Sequence, residues 1–270
     1  MHLLGVVGSG ATELCERVAP LLDGRVATVE SLSDVSGADA TDSVPSLESA
    51  SAADAAYGLG PDGSWVAAGE GKTLGDVLDE LAARYDYALL SGFPDADVPT
   101  VALGGAPAAE AELEAEDAES VELDAVAELA ETGEPHVTLE RLVERAKASP
   151  RAEYAGAIAT FTGRVRAKDE EDDARTVRLE FEKYDGVAEE RMATIESELA
   201  DREGVEEVLT FHRTGVVEDG DDIVFVVVLA GHRREAFRAV EDGIDRLKDE
   251  VPLFKKETTV EDDFWVHDRP

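Results

Sequence analysis

Three groups of cations stand out in a chain otherwise dominated by acids. Gly163-Arg164-Val165-Arg166 closes a long β-rich stretch, and Gly231-His232-Arg233-Arg234 lies between an apolar run and a helical pattern. Lys248 ends that helical pattern, and Lys255 and Lys256 follow shortly after it. Strand ends and helix starts leave backbone N–H groups free, so anions are held there. Arginine adds a planar fork suited to phosphate or carboxylate. Neighbouring lysines can supply an amine nucleophile, a base, or a charge that stabilises a developing oxyanion. Taken singly, each cluster also fits solvated cations that pair with the abundant acids. A fourth constellation is Gly5-Val-Val-Gly8-Ser9-Gly10-Ala11-Thr12, where Gly8, Ser9, Gly10 and Thr12 would line a phosphate loop of the form GxxxxGK[ST]. Ala11 replaces its lysine, so the loop is degenerate, and a retained turn with a weak or dead nucleotide site is expected.

The background explains why these cations matter. Of 270 residues, 62 are Asp or Glu and 25 are Lys or Arg, which gives a formal charge of −37. Self-repulsion of that size must be screened. Acids spread through every element point to adaptation to very high salt, where the Debye length falls to about 3 Å. The first half holds only four basic residues, Arg17, Arg25, Lys72 and Arg84. No contiguous phosphate-neutralising surface can be built from such a chain, which excludes general nucleic-acid binding. Cys15 is the single cysteine, so an intramolecular disulfide and a cysteine zinc site are excluded, and a packed core thiol is expected. No metal constellation is apparent. The longest apolar run, Ile223–Ala230, is too short to cross a bilayer. The N-terminus lacks the basic start of a secretory signal, and a soluble cytoplasmic protein is expected.

The elements that must position these residues fall into two rhythms. In the first half, strands at Leu3–Val7, Trp65–Ala68, Tyr87–Leu90 and Val98–Leu103 alternate with helical patterns. One such helix follows Gly10, with Leu14, Val18, Leu21 and Leu22 on one face, and another spans Leu74–Tyr85. That alternation implies α/β architecture, a wound parallel sheet of phosphate-loop type. Residues 31–56, rich in Ser, Ala and Asp, read as a loop or frayed insertion. Residues 109–135 carry eleven acids and no base, and read as an acidic linker with one helix. From 136 onward the pattern is α+β. A helix spans Thr138–Lys147, strands fall at Ala155–Val165, Thr176–Glu182, Val205–His212, Ile223–Ala230 and Leu253–Thr259, and a further helix covers Val187–Leu199. The last helix, Ala236–Lys248, places Phe237, Val240, Ile244 and Leu247 on its apolar face. The domains expected are 1–108, a linker at 109–135, and 136–270.

The second half resembles a known family. Gly156-Ala-Ile-Ala-Thr-Phe-Thr-Gly-Arg-Val-Arg166, Leu179-Glu-Phe-Glu-Lys-Tyr184, His212-Arg-Thr-Gly215 and His232-Arg-Arg-Glu-Ala-Phe237 look like segments of the molybdopterin synthase large subunit, the MoaE family. So does Ile244-Asp-Arg-Leu-Lys-Asp-Glu-Val-Pro-Leu-Phe-Lys-Lys-Glu257, with Trp265 following. The resemblance implies an α/β hammerhead-like domain with added antiparallel β-structure and no cofactor. It implies sulfur transfer to cyclic pyranopterin monophosphate, forming the dithiolene of molybdopterin. The sulfur donor would be the Gly-Gly thiocarboxylate tail of a small ubiquitin-like subunit, bound to a large-subunit homodimer within a heterotetramer. By motif, Lys248 and Lys255 match the catalytic lysines, and Arg166, His232 and Arg233 match the substrate-anion pocket. His212-Arg213 is expected to order the β-structure. Leu253 and Phe254 stand where the family often has larger aromatics. The first hundred residues, through the glycine loop, Tyr87-Ala-Leu-Leu-Ser-Gly-Phe93 and Val98-Pro-Thr-Val101, resemble the MobB accessory proteins, except that Ser91 replaces their usual acid. A noncatalytic adaptor that recruits pathway partners through this degenerate domain is the alternative function.

Overall fold

The computed structural model describes residues 1–32, 54–108, 111–168, 170–184 and 186–266, in two compact units, Met1–Thr138 and Leu139–Pro270. The first is built on a five-stranded parallel sheet of β1 (His2–Val7), β2 (Val26–Glu30), β5 (Tyr87–Ser91), β6 (Thr100–Leu103) and β7 (Leu113–Ala115), in the order β2-β5-β1-β6-β7. A parallel sheet needs cover on both faces, and successive strand residues supply it. Leu4, Val6, Leu89, Val101 and Leu103 pack with α1 (Ala11–Val18) and α3 (Leu123–Ala130), through Leu14, Val18, Val126 and Ala130. Ala88 and Leu90 point the other way, onto Leu78 and Ala82 of α2 (Leu74–Ala82). Thr73 and Asp76 close a capping box that starts α2.

Several expectations change here. The acidic segment is more than a linker, because β7 extends the sheet beside β6 and α3 buries Val126 and Ala130. Leu21 is exposed, and the last face residue is Leu22 alone. Trp65–Ala68 does not join the wound sheet. It lies in β4 (Trp65–Gly69), paired antiparallel with an unexpected β3 (Ala55–Leu59). Most of the expected loop at 31–56 lies outside the described residues.

The second unit holds two antiparallel sheets. One orders β10 (Val205–His212), β12 (Asp222–Ala230) and β8 (Ala157–Arg164). The other orders β11 (Gly215–Glu218), β9 (Thr176–Lys183), β13 (Leu253–Thr259) and β14 (Asp263–Val266). From Ile223 to Ala230, β12 is buried at every residue, as its unbroken apolar run predicts. Val224, Val226 and Val228 share a core with α5 (Val187–Ala200) and α6 (Arg233–Glu250), while α4 (Leu139–Lys147) also packs on the three-stranded sheet.

The α6 helix departs from its predicted face. Phe237 is 65% exposed, and the buried stripe is Ala236, Ala239, Val240, Gly243, Ile244 and Leu247. Phe237 lies on the flank of the helix, outside that stripe. Within the stripe the helix and sheet approach closely at Gly243, where an added Cβ would stand 3.1 Å from Val226 Cγ1 and 3.5 Å from Leu199 Cδ1. The outer surface of α6 is tied to α5 by Arg246–Glu198 and Arg191–Glu250 ion pairs, and to the turn after α5 by Arg202–Asp242.

Candidate active site

Strand register fixes where each candidate cation lies. In the β8–β12 ladder Arg164 is opposite Asp222, and Ala157 is opposite Ala230. Two residues beyond β8, Arg166 follows Val165, whose N–H donates to Asp221 O at 2.9 Å. Arg166 therefore stands at the Asp222 end of β12. His232 is the N-cap residue of α6 and Arg233 its first residue, just past Ala230, at the other end. The helix then runs back along β12, with Gly243 over Val226 at mid-strand. Its last turn returns Lys248 to the Asp222 end. Lys255 is there too. It is opposite Phe181 of β9, whose ring meets the His212 ring edge-on at 4.8 Å, and His212 is opposite Val224 near the start of β12.

The site residues thus form two groups. Arg166, Lys248 and Lys255 share one end of the unit, while His232 and Arg233 share the other. Eight steps of strand separate the ends by about 26 Å, and the 18 residues of α6 span about 27 Å. One substrate cannot touch both groups within a single chain, so the pocket expected from the sequence is not assembled by one copy.

Several of these cations have no partner of their own. Among the described residues, the side chains of Lys248, Lys255, His232 and Arg233 make no ion pair or hydrogen bond, although carboxylates outnumber Lys and Arg by 62 to 25. Some of their neighbours are neutralised, whereas Arg234 and Arg238, beside His232 and Arg233, also have no ion pair among the described residues. Lys256, facing the opposite side of β13 from Lys255, lies 3.9 Å from Glu180 and 3.7 Å from Asp263. Arg246, two residues before Lys248, is held by Glu250 at 2.7 Å and by Glu198, which raises its pKa further.

His212 does order the β-structure. Burial pushes its pKa down to about 4, and its Nδ1 lies 2.7 Å from Arg213 O, so the neutral ring donates there. The folded value lies below the ordinary 6.5, so the unfolded state takes up the proton first. The contribution of His212 to stability is complete above pH 6.5. About 3 kcal/mol of it is lost as pH falls towards 4. Urea melts at pH 7 and pH 4.5 should show a smaller loss for His212→Gln than for wild type. Equal losses would contradict this origin.

In the first unit, Gly8 and Gly10 take left-handed φ values of 103° and 89°, and the loop leads into α1 with Ala11 buried. Thr12 Oγ1 donates to Glu30 Oε1 at 3.0 Å and lies 3.3 Å from Ser91 Oγ. Glu30 ends β2, a strand absent from the sequence reading, and the short Val26-Ala-Thr-Val-Glu30 alternation is the signal that could have found it. Its carboxylate lies beside the α1 N-terminus, where it complements the helix dipole and opposes a second anion. Cys15 is buried, and burial pushes its thiol up to about 12.

The family model for MoaE proteins matches residues 132–250. A probable molybdopterin synthase of Haloferax volcanii is 64% identical over 269 residues and is covered, like this chain, along its full length. The molybdopterin synthase catalytic subunit of Pyrococcus abyssi is 39% identical over 124 residues, covering 46% of this chain and 82% of that protein. The solved molybdopterin synthase of Staphylococcus aureus is 35% identical, covers 43% of this chain and 83% of its own, and aligns with a TM-score of 0.40. The sequence relatives are molybdopterin synthases or their catalytic subunits. The chain belongs to the MoaE family of molybdopterin synthase catalytic subunits.

Proposed function

We propose that the second unit moves sulfur from the C-terminal thiocarboxylate of a small ubiquitin-like subunit to cyclic pyranopterin monophosphate, building the dithiolene of molybdopterin. The observation that carries the reading is that Lys248, Lys255, His232 and Arg233, the residues the family motifs single out, have side chains without ion pairs among the described residues of a chain with 62 acids. Lys248 stabilises charge developing at the thiocarboxylate carbonyl, and Lys255 assists proton transfer. Arg166, His232 and Arg233 hold the anionic substrate and fix its orientation. Since these groups stand about 26 Å apart along one chain, a working site joins Arg166, Lys248 and Lys255 of one copy to His232 and Arg233 of another. A homodimer with two such sites follows, each taking one small subunit. The test is to mix the chain with thiocarboxylated small subunit and the cyclic monophosphate. Molybdopterin should form, and its absence with a folded, dimeric chain would contradict the reading.

For the first unit, a phosphate-loop descent with a silent nucleotide site is the reading that Ala11 and Glu30 support. Calorimetric titration with Mg-ATP or Mg-GTP in molar KCl should give no micromolar binding. Micromolar affinity with turnover would overturn this. A noncatalytic adaptor role fits this unit, whereas cations kept unpaired in the second unit favour an enzyme there.

A further inference from the structure

Arg213 follows the last residue of β10, at the end of the unit that holds Arg166, Lys248 and Lys255. Its backbone is fixed from two sides. The Arg213 N–H donates to Ile223 O at 2.8 Å, and its carbonyl accepts from His212 Nδ1 at 2.7 Å. The chain then turns through Gly215, with φ of 73°, into β11. Gly215 is opposite Phe181, and Phe181 is opposite Lys255. These three residues form one row across β11, β9 and β13, so Gly215 and Lys255 stand about two strand spacings, or about 10 Å, apart. Arg213 lies two residues before that row.

Its side chain is set apart by burial rather than by the lack of an ion pair, since Arg145, Arg178, Arg233, Arg234 and Arg238 also have none among the described residues. Arg151, Arg175, Arg191, Arg202 and Arg246 all pair with carboxylates. Arg213 Nε is buried and has no hydrogen-bond partner, and among the described residues its guanidinium has no ion pair. A guanidinium keeps its charge in a protein, so a buried N–H cannot escape the cost by losing its proton. Lys248 and Lys255 share the same mark, a cation held clear of acids at this end. We propose that Arg213 binds the phosphate of the cyclic pyranopterin substrate, in concert with Arg166 and beside the two lysines. The inference rests on the sulfur-transfer reading and adds to it a ligand outside the matched set. The pinned backbone would present the fork in one orientation, suited to two phosphate oxygens. His212, neutral near pH 7, is then a positioning residue that holds the loop without competing for the anion.

The test uses the full chain as wild type, Arg213→Ala and Arg213→Lys. Calorimetry would measure binding of cyclic pyranopterin monophosphate alone, and steady-state assays with thiocarboxylated small subunit would give kcat and both KM values. Arg213→Ala should weaken substrate binding and raise its KM at least tenfold. Its kcat should stay within about threefold, and the KM for the small subunit should not move. Arg213→Lys, keeping charge without the fork, should fall between. An unchanged substrate KM in folded Arg213→Ala would overturn the proposal, as would a rise confined to the small subunit's KM. If Arg213→Ala fails to fold, Arg213→Lys decides, and wild-type substrate affinity in that variant would overturn it equally. Wild-type chain that binds the cyclic monophosphate but makes no product would count against the catalytic reading. The titration would still judge Arg213.

Discussion

Lys248→Ala is expected to slow molybdopterin formation by about two to three orders of magnitude, the cost of removing a positioned donor at a developing charge. Folding should scarcely change. Lys248 is exposed in the last turn of α6, off the stripe of Val240, Ile244 and Leu247, and its side chain has no ion pair among the described residues. What it gives the fold is its interaction with the helix C-terminus, about 0.3–1 kcal/mol. Lys255→Ala should also lose rate heavily. Lys256→Ala is the internal control. It faces the other side of β13, where Glu180 and Asp263 already neutralise it. Exposed pairs of this kind contribute about 0–1 kcal/mol, so its loss should be mild in both rate and stability. Product formation and small-subunit binding, measured in parallel for the three variants, check the order. Near wild-type turnover in Lys248→Ala, or a worse defect in Lys256→Ala, would show that the lysines are wrongly assigned.

The parts of this fold that were legible in the sequence are those with a strong local signal. The Ile223–Ala230 run announced a strand buried on both faces, and Pro252 marked the stop between α6 and β13. Short strands were not legible. β7, β11 and β14 have three or four residues, too few to show a clear alternation, and they exist through pairing with β6, β9 and β13. The acidic stretch at 109–135 read as a linker with one helix, and the part of it that stayed hidden is β7, three residues flanked by acids. Phe237 misled for another reason. Spacing put a large apolar residue on the core side, whereas the buried stripe runs through Ala236, Ala239, Val240, Gly243, Ile244 and Leu247 and leaves Phe237 on its flank.

The candidate site divides similarly. Residue types and order pointed to Arg166, His232, Arg233, Lys248 and Lys255, because motifs are local. Their separation was hidden, since it depends on β8 running antiparallel to β12 and on α6 turning back over the sheet. Arg213 was given only a structural part, because nothing in the sequence tells that its Nε is buried without a partner.

The second large effect follows from that separation. A His232→Ala/Arg233→Ala double variant should lose activity about a hundredfold or more, since the substrate is no longer held for reaction. Mixed with Lys248→Ala, however, it should recover. In a two-fold dimer each site takes one group from each copy. A mixed dimer then has one site lacking Lys248, His232 and Arg233 together and one site complete. Random exchange makes about half of the dimers mixed, so about a quarter of wild-type activity should return. The measurement that tests the central claim most directly is therefore molybdopterin formation by this mixture, with thiocarboxylated small subunit and cyclic pyranopterin monophosphate. Native mass spectrometry would confirm the mixed dimers. The account predicts two nearly inactive parents and a mixture near one quarter of wild type. A mixture no more active than its parents, with mixed dimers present, would contradict a site shared between copies. No product from wild type would contradict sulfur transfer itself.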